Sequence, residues 1–124
     1  MEILTVYVTI DGGFTVTGKD TVTLVPFHGY AKSHLFEGSI LPGAVDTQRS
    51  HEGSFSLSAR YILEGTDKDG EPCRIFIQNE TGHDGRICPS IVTDSKALAY
   101  LQYASLYSEI SPSDDGVIVR IYEG

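Results

Sequence analysis

Apolar and polar residues alternate along several segments of the chain. The clearest segment covers residues 54–64, where the odd-numbered positions are apolar and the even-numbered positions are mostly polar. Ile62 is the one apolar residue on the polar side. Successive side chains of a β-strand point to opposite faces of the sheet, so this period of two predicts a strand with one buried face.

The same pattern, together with runs of β-branched residues, predicts further short strands. Their expected positions are 3–10, 14–17, 21–25, 36–41, 44–49, 73–79, 86–92 and 117–122. Glycine-rich turns separate most of them, and the Asp69-Gly70 turn predicts a hairpin between the two strands that flank it. Residues 26–35 are expected to be irregular, with a bend or bulge at Gly29.

One short helix is expected near residues 95–102. Thr93, Asp94 and Ser95 carry the side-chain oxygens that cap helix N-termini, and the alanines and leucines that follow favour a helix. The nearby tyrosines leave an early return to a strand open.

About eight to ten strands at turn spacings of roughly 8–12 residues are typical of a β-sandwich or a barrel. We favour a single antiparallel β-barrel, because mostly sequential hairpins suit an up-and-down closure that leaves no exposed edge. The chain has 124 residues, of which 40% are hydrophobic and 21% are charged. This length and composition predict one globular domain covering residues 1–124.

The formal net charge is −8, from 9 Lys and Arg against 17 Asp and Glu. A surface of this sign repels phosphates, so we expect neither nucleic acid nor an anionic membrane as a partner. No apolar run approaches the length of a membrane span, and the N-terminus lacks the pattern of a secretion signal, which predicts a cytoplasmic protein. Cys73 and Cys88 lie outside any metal or redox motif, which favours a buried thiol pair.

Residues 38–48 concentrate a proline, two glycines, a carboxylate and an amide within one short apolar run. Asp46 and Gln48 are two positions apart, so in an extended chain their side chains leave the same face as that of Ala44. This stretch is therefore a candidate wall of a pocket.

Several segments follow one another in a distinctive order: GSILPGAVD at residues 38–46, LSARYIL at 57–63, the Asp69-Gly70 turn and IFIQN at 75–79. Near the end of the chain, Tyr100-Leu101-Gln102 stands where many members of one family carry Trp-Leu-Asn. In their order and spacing these segments resemble the DUF3237 (UPF0311) family over nearly the whole chain.

The resemblance implies a lipocalin-like or calycin-like β-barrel. Some fungal relatives are implicated in cyclising aromatic natural products by adding a hydroxyl group across an alkene. Such a reaction needs an acid that protonates the alkene, and a base or hydrogen-bond acceptor for the hydroxyl. The resemblance therefore implies this chemistry as one alternative function.

Asp46 is the candidate acid or base, with Arg60 as its catalytic partner. Desolvation at an apolar barrel mouth favours the protonated carboxyl, whereas a nearby Arg60 favours the carboxylate. The alternative is an Asp46–Arg60 ion pair that joins two strands. Arg60 and Tyr61 face opposite ways in their strand, so both line the interior only if a bulge intervenes.

Five further side chains are candidates for ligand contacts: Gln48, Tyr61, Asn79, Tyr30 and His34. Asn79 shares a face with two isoleucines, and a buried amide needs partners from the backbone, water or a ligand. The alternatives are a structural amide and tyrosines that only pack. His28, His34 and Asp46 lack a recognised ligand spacing, so we expect no metal, and no motif indicates a cofactor.

Three functions are consistent with these features. The first is a small-molecule-binding barrel whose pocket reaches Asp46 and whose ligand is aromatic or unsaturated. The second is a cofactor-independent lyase or isomerase that uses Asp46 and Arg60. The third is assembly into a homodimer or a larger homo-oligomer through Tyr100, Tyr103 and Tyr107, since aromatic residues favour interfaces.

Overall fold

The described residues form ten β-strands and one short 3-10 helix. The computed structural model describes residues 1–81 and 85–124. The strands are β1 Glu2–Ile10, β2 Phe14–Thr17, β3 Thr21–Lys32, β4 Phe36–Ile40, β5 Val45–His51, β6 Ser54–Asp67, β7 Pro72–Thr81, β8 Ile87–Thr93, β9 Leu106–Pro112 and β10 Gly116–Glu123. All their pairings are antiparallel, which confirms the predicted all-β antiparallel fold.

The strands belong to one sheet with the order β8-β7-β6-β4-β3-β1-β10-β9. In addition, β2 pairs with β3, and β5 pairs with both β3 and β6. The two strands at the ends of this order, β8 and β9, contact each other. The sheet is therefore curled so that its two ends lie near each other, and the core lies on its inner face. Within the two described ranges, no helix has the length and apolar character needed to cross a membrane.

Strands β4 and β5 form one interrupted line of chain between β3 and β6. β4 pairs with the end of β3 and the end of β6, whereas β5 pairs with the other halves of the same two strands. The break between them covers residues 41–44, where Gly43 has a φ of +103° that favours glycine. The backbone remains tied on both sides, because Leu41 N donates to Ile62 O at 2.8 Å and Phe27 N donates to Ala44 O at 3.3 Å. The proline-glycine stretch therefore interrupts the strand pairing but stays in line with β4 and β5 between β3 and β6.

Residues 26–32, which the sequence predicts to be irregular, form the second half of β3. Gly29 pairs with Val8 of β1 and has a φ of +152°. A Cβ atom there would clash with the backbone oxygen of Tyr7. Glycine therefore lets β1 and β3 approach each other, and the ladder continues through this position.

One end of the curled sheet is filled with apolar side chains. Phe36, Leu63 and Ile75 are almost completely buried there, and Leu98 and Leu101 join the same core. The expected helix over 95–102 is instead a turn followed by the 3-10 helix Ala99–Tyr103. In a 3-10 helix, side chains three residues apart lie on the same side, which brings both leucines into the core.

The polar groups at this filled end are paired. Asp67 Oδ2 accepts a hydrogen bond from Ser95 Oγ at 2.7 Å, and Asp67 Oδ1 accepts from the backbone N–H groups of Asp69 and Glu71. Ser95 Oγ in turn accepts from Leu98 N at 3.2 Å. The Ser95 hydroxyl, helped by the two backbone N–H groups, holds the pKa of the Asp67 carboxyl below its usual value.

The two cysteines are both free, but only Cys73 is buried. The predicted buried thiol pair is therefore wrong for Cys88. Its neighbours Pro89 and Ile91 show the reason, because the inward positions of β8 are the odd-numbered ones, and Cys88 faces solvent.

Candidate functional site

A cavity of about 220 Å³ lies on the inner face of the sheet. Its walls are mainly apolar: Val8, Ile10, Val25, Phe27, Leu57, Ala59, Ile110, Val117 and Val119. Four polar side chains complete the lining: Asp46, Gln48, Tyr61 and Asn79. Ile10 and Ile110 are each close to half exposed, so they mark the side on which the cavity meets solvent.

The strand register brings the polar side chains together. Asp46 of β5 pairs with Ala59 of β6, and Ala59 pairs with Asn79 of β7, so these three residues lie in a row on one face. Gln48 and Tyr61 are each two positions from a member of this row and share its face. The predicted common face of Asp46 and Gln48 therefore lines the cavity.

Two hydrogen bonds hold part of this polar group in place. Gln48 Nε2 donates to Asp46 Oδ2 at 3.0 Å, and Ser108 Oγ of β9 donates to Asn79 Oδ1 at 2.9 Å. The other carboxylate oxygen, Asp46 Oδ1, is buried and has no hydrogen-bond partner among the described residues. The same holds for the hydroxyl oxygen of Tyr61.

Tyr61 is only 4% exposed and packs edge-to-face on Phe27, with ring centroids 5.5 Å apart. Burial raises the pKa of its phenol far above the usual value, because the ionised form would lose its hydration. The nearby Asn79 side chain opposes this rise, although it does not reach hydrogen-bond geometry with the hydroxyl. Tyr61 thus presents a neutral hydroxyl at neutral pH.

Arg60 does not join this site. It pairs with Val45 on one side and Gln78 on the other, whereas its neighbour Ala59 lies in the row that contains Asp46. Because the β6 ladder is regular here, Arg60 lies on the outer face, where it is exposed. Both expected links between Asp46 and Arg60, the catalytic pair and the ion pair, are therefore wrong.

Tyr30 and His34 also lie away from the cavity. Tyr30 faces outward from β3 and stacks on Tyr7, with ring centroids 4.9 Å apart. His34 is exposed in the connection between β3 and β4. Their expected contacts with a ligand in this cavity are wrong, because Phe27 and Ala31, on the other face of β3, are the inward positions.

His28, His34 and Asp46, the candidate metal ligands weighed in the sequence, do not lie together in the structure either. His28 Nδ1 lies 2.8 Å from a carboxylate oxygen of Asp11 at an exposed position. Within the two described ranges, no group of three or more metal-ligating side chains is arranged to hold a metal.

Sequence reasoning missed the contribution of β9 to the cavity. Leu106, Ser108 and Ile110 alternate with Tyr107 and Glu109, which is the signal of a strand with two different faces. The tyrosines around this segment leave an early return to a strand open and favour an interface, so the sequence assigns no strand to residues 106–112. Tyr103 is 88% exposed, and Tyr107 stacks on Tyr122. Assembly through the tyrosines stays a prediction.

Several solved structures share this fold. A protein of unknown function from Clostridium acetobutylicum is 21% identical with a TM-score of 0.81, and the match covers 99% of this chain and 94% of the other. A β-barrel-like protein from Acinetobacter baumannii AYE is 15% identical with a TM-score of 0.78, over 98% and 92% of the two chains. An enzyme from Penicillium herquei is 10% identical with a TM-score of 0.73, over 99% and 91%.

No family model matches the chain, and no curated protein matches it. Membership of the DUF3237 family therefore stays a prediction. At these identities the structural matches show a common fold and no more. The chain has the fold of β-barrel-like proteins.

Proposed function

We propose that this protein binds a small, largely apolar molecule, aromatic or unsaturated, in the cavity beside Asp46. One observation supports this proposal above the others. In the part of the chain that the structure describes, two buried side-chain polar atoms lack a hydrogen-bond partner, Asp46 Oδ1 and Tyr61 Oη. Both belong to side chains that line the same apolar cavity. Buried polar atoms are rarely left unpaired, so a ligand with polar groups is the natural partner.

The size of the cavity limits the ligand. An apolar cavity of about 150 Å³ in another protein admits benzene. The cavity here, about 220 Å³, therefore has room for one ring with a short substituent. It lies below the roughly 300–1,000 Å³ of typical ligand pockets, which argues against a large polycyclic compound.

Each polar side chain has a distinct role in this proposal. The Asp46 carboxylate accepts hydrogen bonds, and Gln48 holds it through its second oxygen. The neutral Tyr61 hydroxyl donates or accepts. Ser108 fixes the Asn79 amide by occupying its oxygen, which leaves the amide N–H groups as donors.

The test uses benzyl alcohol and toluene as probes. Isothermal titration calorimetry measures their binding, and thermal-shift assays measure the change in melting temperature. We expect both probes to bind and to raise the melting temperature by mass action. Ala59→Leu fills the cavity from the inner face of β6 and should abolish binding. Ser56→Leu adds the same side chain on the exposed outer face of that strand and should leave binding unchanged.

Failure of all probes at millimolar concentration would refute the proposal. So would binding that survives in a folded Ala59→Leu variant, since the probes would then occupy another surface. Circular dichroism shows whether the variant retains its sheet.

The alternative is a cofactor-independent lyase or isomerase. A carboxyl group with one unpaired oxygen and a buried phenol share the cavity, and this favours the alternative. In this scheme the Asp46 carboxyl group donates a proton to an alkene carbon, and a hydroxyl oxygen of the same substrate bonds to the resulting cation. The hydroxyl proton then returns to Asp46, so the net change is an isomerisation without redox chemistry. Tyr61 lines the same cavity and takes the partner role expected of Arg60, which lies on the outer face of β6. The fold shared with an enzyme from Penicillium herquei agrees with this alternative.

Substrate turnover separates the two functions. An enzyme of this type loses cyclisation of an alkenyl phenol in Asp46→Asn while the variant still binds the substrate. A binding protein shows no turnover of such compounds above the uncatalysed rate, with or without the substitution.

A further inference from the structure

The cavity has an unbalanced charge. Of the described residues that line it, Asp46 alone carries a carboxyl group, and none is a lysine, arginine or histidine. Among the described residues, Asp46 takes part in no ion pair. Its one hydrogen bond comes from a neutral donor, the Gln48 amide.

A carboxylate in this setting favours a cation. Removing a charge from water is costly unless an opposite charge or strong donors compensate. One amide donor on Oδ2 leaves Oδ1 uncompensated. A ligand ammonium group supplies both a positive charge and N–H donors, and charge-assisted hydrogen bonds are roughly twice as strong as neutral ones.

Two further features act in the same direction. Phe27 and Tyr61 bring aromatic rings to the cavity, and aromatic faces attract cations. The chain as a whole carries a net charge of −8, which raises the local concentration of cations and repels anions.

We infer that the ligand is a small primary amine with an apolar, single-ring body, bound as its ammonium ion with the nitrogen at Asp46 and the ring against the apolar walls. This inference rests on the proposed ligand-binding function and specifies the chemical class of the ligand. The ring occupies the space between β1, β3 and β10, and the ammonium group lies toward β5 and β7. An arylalkylamine of the size of benzylamine fits a cavity of about 220 Å³.

Three probes of nearly equal size test the inference: benzylamine, benzyl alcohol and benzoate. Calorimetry at pH 7 should show benzylamine binding at least tenfold more tightly than benzyl alcohol, with no binding of benzoate. Asp46→Asn keeps the shape of the side chain and removes its charge, so the ratio of the two affinities should fall close to one while benzyl alcohol still binds. Glu37→Gln removes one exposed charge from the outer face of β4 and should leave the tenfold preference intact.

A second measurement does not depend on the Asp46 variant. Nuclear Overhauser contacts between the benzylamine methylene group and the Ala59 methyl group should appear in the wild-type protein, because Ala59 pairs with Asp46 in the ladder. Contacts confined to outward-facing residues such as Thr47 would overturn the inference.

The outcomes separate this inference from the function on which it rests. Equal or tighter binding of benzyl alcohol overturns the amine preference and leaves ligand binding intact. An amine preference that persists in Asp46→Asn shows that the overall charge attracts the amine, and overturns the role of Asp46. If neither uncharged nor charged rings bind, both the proposed function and the amine inference are wrong.

Discussion

Replacing Tyr61 by phenylalanine should stabilise the protein. A buried hydroxyl that makes a hydrogen bond usually contributes about 0.5–1.5 kcal/mol, whereas one left unpaired costs about 1–3 kcal/mol. The Tyr61 hydroxyl is buried without a partner among the described residues. Tyr61→Phe removes this oxygen and keeps the ring packed against Phe27. We therefore expect the free energy of unfolding to rise by about 1 kcal/mol.

Urea unfolding followed by circular dichroism measures this change. The expected result is a higher midpoint with an unchanged slope, and a melting temperature raised by roughly 3–5 °C. Tyr107→Phe is the matched control, because that side chain is 42% exposed and its substitution should change stability by less than about 0.5 kcal/mol. A loss of about 1 kcal/mol in Tyr61→Phe would refute the reasoning, since it would mean that the hydroxyl is hydrogen-bonded, with Asn79 as the nearest candidate.

The remaining predictions concern the filled end of the sheet. Leu98→Ala should lower the free energy of unfolding by about 2–5 kcal/mol in urea titrations, because Leu98 is 1% exposed and the change leaves a void. Gly65→Ala should cost about 3 kcal/mol in the same assay, since its Cβ would clash with the backbone of β4, whereas Gly18→Ala meets open space and should cost less than about 0.5 kcal/mol. Ser95→Ala removes the main group that lowers the pKa of Asp67 in the folded protein. A carboxyl group with a lowered pKa stabilises the fold at pH values above its pKa in the unfolded chain, and this stabilisation is lost as the pH falls through its pKa in the folded protein. The deficit of this variant against wild type should therefore shrink in acid unfolding series.

Local alternation was enough to predict much of the sheet, and all four polar side chains that line the cavity are among the predicted candidates. The period of two over residues 54–64 placed Tyr61 on the inner face of β6, where the structure has it. The Asp69-Gly70 turn joins β6 to β7 as predicted, with Gly70 at a φ of +77°. Asn79 shares the face of two buried isoleucines and lines the cavity. These predictions succeed because each depends on positions within one regular strand.

The failures depend on contacts between distant parts of the chain. Alternation along β6 places Arg60 and Tyr61 on opposite faces. Only the pairing with β5 and β7 shows that Tyr61 shares a face with Asp46. Tyr30 lies in a segment that the sequence predicts to be irregular, so no face could be assigned to it. In the 3-10 helix after β8, two leucines enter the core together. Their burial depends on packing against the sheet, which local helix propensity does not describe.

The two ends of the curled sheet differ in how completely their polar groups are paired, and this difference supports the placement of the site. At the filled end, Asp67 accepts three hydrogen bonds, and the leucines of the following turn fill the core. At the cavity, Asp46 and Tyr61 each keep one buried oxygen without a partner among the described residues. Native proteins retain few such atoms, since each costs stability, and the exceptions call for a functional explanation. The filled end supplies packing that tolerates this cost, and a ligand that pairs with either oxygen recovers part of it on binding, so the cavity is where binding energy is available.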